Sequence, residues 1–385
     1  MSQKQIYICL ASGQQLQNYI PAQVFNPTHV FILTSNSNAI LQNAKILASV
    51  FNKKGIPTEL VNNMPSVNMD TLFGFLHNFK EQYLANIEND TSIIINVTGG
   101  TKPMSLACYE FFKAHFQTAK IIYNDHENNK VEYLSPLKQS AQPFDYDTVD
   151  LTTYFKLHGL TILEIASDDP IWQKRAQARK DLSLMLSKNI VFAEEIRSFF
   201  GKPGLTEYKL SSKNKNKKLI QLCEQHQLFK YSFDKNTIQF PYGGKAQSYL
   251  NGGWLEEYTW LCLNDIGMKD VKCGVKINWE DSLRAKDISI NELDITFLYH
   301  NQIFILECKT GRLDGINLQN TLNKLETIGR YVGGTFHGLG LVMLSEVKDV
   351  LKERAERFRI KTFDHVQLLP QLTAQLEGWI KRTKK

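Results

Sequence analysis

The segment ELDITFLYHNQIFILECK, residues 292 to 309, sets Asp294 before a polar turn at Tyr299 to Gln302, and Glu307 and Lys309 after it. If an even-length loop is centred between His300 and Asn301, Tyr299 stands opposite Gln302, Leu298 opposite Ile303, Thr296 opposite Ile305, and Asp294 opposite Glu307. Directly opposed side chains have Cβ atoms about 4.5–5.5 Å apart, and like charges there repel unless something intervenes. A divalent cation on hard oxygen ligands, magnesium or manganese, is the natural intervening object. Lys309, two residues beyond Glu307, shares that face of the strand, and Cys308 points the other way into apolar company. Acidic pair, lysine and metal together suit hydrolysis of a phosphodiester, with the lysine positioning water or stabilising developing negative charge. Glu256 in GGWLEEYTW is the best candidate for a further carboxylate, because a helix preceding the hairpin can aim one acid at the site. Its neighbour Glu257 projects about 100° away. The plain alternative is a salt-bridged strand pair. Both strands are apolar on both faces, however, and three charges at the end of such a buried sheet are costly unless they work together.

A second stretch, INVTGGTKPMS (95 to 105), leaves an apolar strand through Thr98, Gly99, Gly100, Thr101 and Lys102, and Pro103 then opens a helix. Glycines let backbone approach an anion, the free N–H groups of a helix start favour negative charge, and Lys102 adds a cation. Loops with Ser12 and Gly13 after the first strand, and with Thr34 and Asn36 after the second, should meet on the same sheet edge. Neither GxxxxGK nor GxGxxG is present, which disfavours a P-loop ATPase and a typical dinucleotide enzyme. Read alone, the loop is equally a tight strand-to-helix turn.

The elements that must carry these residues follow from patterning. From residue 5 to about 150, the runs IYICLA, HVFILT, PTELVNN, SIIINV and KIIYN alternate with helical spacings at 38–54, 69–88 and 102–116, the pattern of a doubly wound, Rossmann-like α/β domain over 1–150. Residues 151–245 read as a middle linker, helical at 170–200 and 216–228 and compatible with a small winged helix through FKYSF and TIQF. From 246 to 385 the order is helix, antiparallel strands, a helix at 317–332, the strand LGLVMLS, a charged helix near 346–358 and the run HVQLL: an α/β sandwich with a mixed sheet. A chain of 385 residues exceeds what one core usually holds. Its six cysteines form no CxxC pair and read as reduced, buried thiols. A net charge of +6 allows an anionic partner without demanding one, and the basic run SSKNKNKK (211–218) reads as a solvated loop. No apolar run is long enough for a membrane-spanning helix and the start MSQKQ is unlike a signal peptide, so a cytoplasmic protein with no membrane partner is expected.

The helical glutamate, aspartate and ExK pattern resembles the PD-(D/E)XK nuclease fold, with Leu293 where that fold often has proline. Across nearly the whole chain, TGGTK, GGWLEEY, ELD and ECKTG together resemble the CRISPR ancillary nucleases that couple a CARF sensor domain to this nuclease. The resemblance implies a metal-dependent endonuclease of antiviral defence. Asp294, Glu307, Glu256 and the main-chain carbonyl of Cys308 would hold manganese or magnesium, with Lys309 assisting the water. It implies activation by a cyclic oligoadenylate, foremost cyclic tetra-adenylate, held by Ser12, Gly13, Thr34, Asn36, Thr98, Gly99, Gly100, Thr101 and Lys102. A two-fold symmetric cyclic tetramer makes a homodimer its expected receptor. DNA, by nicking and single-strand cleavage, and RNA both stay open as substrates. Two rivals, a ligand-sensing DNA-binding regulator without nuclease activity and a Rossmann oxidoreductase needing nicotinamide or flavin, leave the carboxylate pair unexplained.

Overall fold

The computed structural model describes residues 4–88, 90–145, 147–200, 207–211, 216–242, 244–279, 291–311, 315–333, 337–364 and 369–383. The chain divides into two compact units. One comprises Met1–Thr161, and the other Ile162–Asn278 with Ser289–Lys385.

In the first unit the elements run β1 (Gln5–Leu10), α1 (Leu16–Phe25), β2 (His29–Leu33), α2 (Asn38–Lys53), β3 (Thr58–Val61), α3 (Met69–Phe79), β4 (Ser92–Asn96), α4 (Lys102–His115), β5 (Lys120–Asp125), β6 (Lys130–Ser135), β7 (Gln142–Pro143) and α5 (Leu151–Leu157). The sheet order is β3-β2-β1-β4-β5-β6-β7. Strands β1 to β5 are the five expected apolar runs and pair in parallel, while β6 and β7 extend the sheet antiparallel. Ile8, Leu10, Phe31, Leu33, Ile95 and Ile121 share a core with Leu72, Leu76, Phe111 and Phe112 of α3 and α4. Because β1 lies between β2 and β4, chain order reverses there, and the crevice beyond the carboxyl ends of β1 and β4 is where doubly wound sheets take ligands.

The second unit continues with β8 (Leu160–Ile165), α6 (Pro170–Ala178), α7 (Lys180–Lys188), α8 (Ile190–Phe199), β9 (Glu207–Lys209), α9 (Lys217–Gln225), β10 (Lys230–Ser232), β11 (Thr237–Gln239), α10 (Gly244–Ser248), α11 (Trp254–Asp265), β12 (Lys272–Trp279), β13 (Asn291–Tyr299), β14 (Gln302–Lys309), α12 (Gly315–Gly333), β15 (His337–Met343), α13 (Asp349–Arg357), β16 (Ile360–Phe363) and α14 (Leu372–Thr383). Its main sheet, β16-β15-β14-β13-β12-β8, is mixed as expected: β12, β13 and β14 run antiparallel, and β14, β15 and β16 run parallel.

The middle residues do not stand apart from this unit. Leu182, Phe192, Ile196, Leu219 and Ile238 share one core with Trp254, Ile295, Phe304 and Trp379, and β8 is an outer strand of the main sheet. The two short hairpin strands expected there form a small sheet, β10-β11-β9. All six cysteines are free and buried. Among the described residues no helix is long and apolar enough to cross a membrane. Residues 212–215 of the basic run and 365–368 of HVQLL lie outside the described residues.

Candidate functional site

His300 and Asn301 both adopt positive φ, 55° and 58°, giving β13 and β14 the two-residue turn whose twist suits a hairpin. The register that results pairs Tyr299 with Gln302, Leu298 with Ile303, Thr296 with Ile305 and Ile295 with Leu306. Asp294 and Glu307 lie one step beyond that last pair. Lys309 Nζ sits 2.6 Å from Glu307 Oε1 and 3.5 Å from Asp294 Oδ2, so the ammonium bridges the two carboxylates in the place that a cation was expected to take. The main-chain N–H of Cys308 donates to Asp294 Oδ2 at 2.7 Å. Its thiol turns to the other side and lies 3.6 Å from Thr259 Oγ1.

Glu256 reaches this cluster from α11. The helix is set against the hairpin end by the NGG turn before it: Thr310 Oγ1 donates to Asn251 O at 3.0 Å, and a Cβ on Gly252 would stand 3.1 Å from that hydroxyl. Burial raises the Glu256 pKa well above the carboxylate range, reinforced by Asp294 and Glu292 and opposed by Lys309. Asp294 is raised by burial and by Glu307, against Lys309 and the Cys308 N–H. Burial pulls Lys309 down, yet Asp294 and Glu307 outweigh it and hold its pKa above the usual lysine value. Glu257 takes the other side of α11, as its 100° offset predicts, with Oε1 3.5 Å from Arg179 and 3.9 Å from Arg175. Burial pushes its pKa up to about 7 despite those two guanidinium groups.

Two members of the cluster escaped the sequence reading. Glu292 precedes Asp294 by two residues on β13, a spacing visible in NELD. Lys324, on α12, brings Nζ to 3.4 Å from both Glu307 oxygens and donates to the Glu292 carbonyl at 3.3 Å. Nothing in the local sequence marks it, since it arrives only through the packing of α12 on β14. Among the described residues no group of three or more His, Cys, Asp or Glu side chains is drawn close enough to hold a metal as it stands. The chemistry of the donors still fits one. Glu256, Asp294 and Glu307 supply hard oxygens, and the mutual repulsion that raises the first two is what a divalent cation relieves.

In the first unit, the loops after β1, β2 and β4 gather on the carboxyl edge of three adjacent strands. Gly99 passes so close to β1 that a Cβ would lie 2.2 Å from Leu10 O, and Gly100 has φ +74°. Thr101 caps α4 by accepting from Met104 N at 3.3 Å, and its hydroxyl donates to Ser66 O. Underneath is a buried amide network. Asn96 Nδ2 lies within donating distance of Tyr7 OH (2.9 Å), Gln17 O (2.8 Å) and Asn18 Oδ1 (3.1 Å), while Asn96 Oδ1 accepts from Thr98 N at 3.0 Å. Several of the expected ligand residues are thereby committed inward. Thr34 is fully buried and donates to Ser35 O, Thr98 Oγ1 donates to Asn96 and accepts from Asn124 N, and Ser12 Oγ accepts from Gln17 Nε2 at 2.6 Å. Gly13, Asn36, Gly100, Thr101 and Lys102 are exposed on that edge.

Residues 6–154 match the family described as the Card1 CARF domain, and residues 244–383 match the Card1-like endonuclease domain. No curated protein matches the sequence. Among solved structures, the chain is similar to Can2 from Sulfobacillus thermosulfidooxidans in complex with cyclic tetra-adenylate, at 23% identity and TM-score 0.73, covering 98% of this chain and 99% of that one. It is also similar to protein VC1899 from Vibrio cholerae, at 18% identity and TM-score 0.82 with 98% of both chains covered. A type III CRISPR defence DNA nuclease activated by cyclic oligoadenylate shares the fold at 15% identity and TM-score 0.58, over 99% of this chain and 52% of that one.

Proposed function

The chain belongs to the Card1-like proteins, which join a CARF domain to an endonuclease domain, and from that membership we propose a metal-dependent nuclease switched on by a cyclic oligoadenylate. The observation that carries the reading is the convergence of Glu256, Asp294 and Glu307 on Lys309 at the mouth of the β13–β14 hairpin. Glu256, Asp294, Glu307 and the Cys308 carbonyl would hold magnesium or manganese. When bound, such an ion polarises the scissile phosphate and makes a water more acidic. Lys309 then has a second task. Released from its bridge between the carboxylates, its ammonium orients the attacking water or offsets charge building on the phosphate.

Cyclic tetra-adenylate is the activator best supported, because Can2, a similar structure of matching length, was solved with it. The exposed Gly13, Asn36, Gly100, Thr101 and Lys102 surround its seat at the switch point of the sheet, and the Asn96 network keeps the loops in shape beneath it. A ligand of two-fold symmetry favours a homodimer with matching loops. DNA is the proposed substrate, with RNA the variant that the same experiment decides.

That experiment incubates the full chain with manganese, labelled DNA and labelled RNA, and a panel of cyclic oligoadenylates. Cleavage should require both metal and cyclic tetra-adenylate. Glu307→Ala and Lys309→Ala should each lower it by at least about 100-fold while calorimetry still detects activator binding. Full cleavage by both variants would remove these residues from the reaction. A gel shift without cleavage would favour a DNA-binding regulator instead.

A further inference from the structure

Residues 155–243 fall outside both matched families, yet α6 within them forms one wall of a cleft of about 940 Å³ that reaches Glu256. Trp172, Arg175 and Arg179 of this wall face Lys245, Tyr249 and Glu257. Arg179 is 7% exposed and lies with its guanidinium 4.3 Å from the centre of the Tyr249 ring.

Both arginines share a single carboxylate oxygen of Glu257, at 3.5 and 3.9 Å. A charge-assisted pair built for stability is closer and forked, at about 2.7–2.9 Å. Here the Nε atoms of Arg175 and Arg179 and the second oxygen of Glu257 are buried without a hydrogen-bond partner. The other acids lining the cleft have duties elsewhere. Glu164 pairs with Lys276 at 2.7 Å, Asp169 caps α6 by accepting from Ile171 N, and Glu256 belongs to the hairpin cluster. Two planar cations with one poorly engaged counter-charge, in an open cleft, are suited to a tetrahedral anion gripped at two oxygens.

We propose that Arg175 of α6 and Arg179, which caps the carboxyl end of that helix, seat a phosphate of the substrate strand beside the cleaving cluster, with Trp172 offering a ring to a neighbouring base. This rests on the nuclease reading, and it assigns α6 the positioning of substrate. Glu257 acts as the counter-charge that a phosphate displaces.

The test is fluorescence anisotropy of a short labelled single-stranded DNA on the full chain with cyclic tetra-adenylate, in chelator, across a salt series. Arg175→Gln should weaken binding about 10-fold and reduce the slope of log affinity against log salt by about 1. Arg175→Lys should keep the slope while losing part of the affinity, and Glu257→Gln should tighten binding. A merely structural triad predicts no tightening. Unchanged affinity and slope in Arg175→Gln with an unchanged melting temperature, a loss without change of slope, or no salt-dependent binding by the unaltered chain would each overturn the proposal. Failure of the nuclease reading shows separately, as absence of cleavage with manganese and activator.

Discussion

Lys309 holds two acids at once, and a third, Glu256, stands near enough to be raised by them. Lys324 approaches Glu307 from the opposite element with a longer, half-exposed contact, 3.4 Å to each oxygen. A charged contact of that length and exposure contributes about 1 kcal/mol or less. Lys324→Ala should therefore slow single-turnover cleavage roughly fivefold, against the far larger loss expected for Lys309→Ala. Equal losses would mean that the two lysines exchange roles. Asp294, Glu307 and Lys309 were legible in the sequence because strand periodicity is short-range and the turn sits between two apolar runs. Glu256 could be favoured over Glu257 only once a helix was assumed, and Lys324 could not be found at all, because its partner lies on a strand that the local pattern around it does not mention.

At the level of elements, the β4–α4 turn is fixed by folding constraints at the place proposed for the activator. Gly99 clears the Leu10 carbonyl with no room for a side chain, and both partners are main chain, so neither can swing aside. Gly99→Ala should destabilise the first unit by about 2 kcal/mol or more, read as a fall in melting temperature, and should abolish activator binding. An unchanged melting curve would show that the loop is free to move. The five parallel strands were readable because central strands are continuous apolar runs. The elements that escaped were of other kinds: β7 and β8 are edge strands of their sheets, β6 lies next to β7, β16 spans only four residues, and α1 carries Pro21 in its interior. The loops proposed to hold the activator were singled out by their residue types. Thr34 turns its hydroxyl to the neighbouring Ser35 carbonyl, but that Thr98 and Ser12 commit theirs to the loops depends on Asn96 and Gln17, whose significance appears only when β1, α1 and β4 come together.

For the whole molecule, the proposed switch sets a quantitative demand. Driving a strongly inactive population to a strongly active one takes about 10⁴-fold preferential binding, roughly 5.5 kcal/mol. Hydrogen bonds to charged groups supply about 1.5–3 kcal/mol each, so a few made only in the active state suffice. Lys102→Ala should then raise the cyclic tetra-adenylate concentration for half-maximal cleavage at least about tenfold while leaving the saturated rate intact. A lower plateau with an unmoved midpoint would place Lys102 in transmission of the signal and outside the ligand seat. The change of patterning near residue 250 falls close to residue 244, where the endonuclease-domain match begins, whereas the two compact units divide at Thr161. The middle segment was opaque because its helices are short and complete their hydrophobic faces only against α11, the main sheet and α14.

Glu256 and Glu257 are consecutive on α11, one turned to lysine and the other to arginine. A slip of that helix by a single residue would carry one of the two acids into the other's surroundings, since each step turns about 100°. The rotational phase of one helix is thus a shared setting: whatever disturbs it would throw the proposed grip on the strand and the proposed cut out of alignment together.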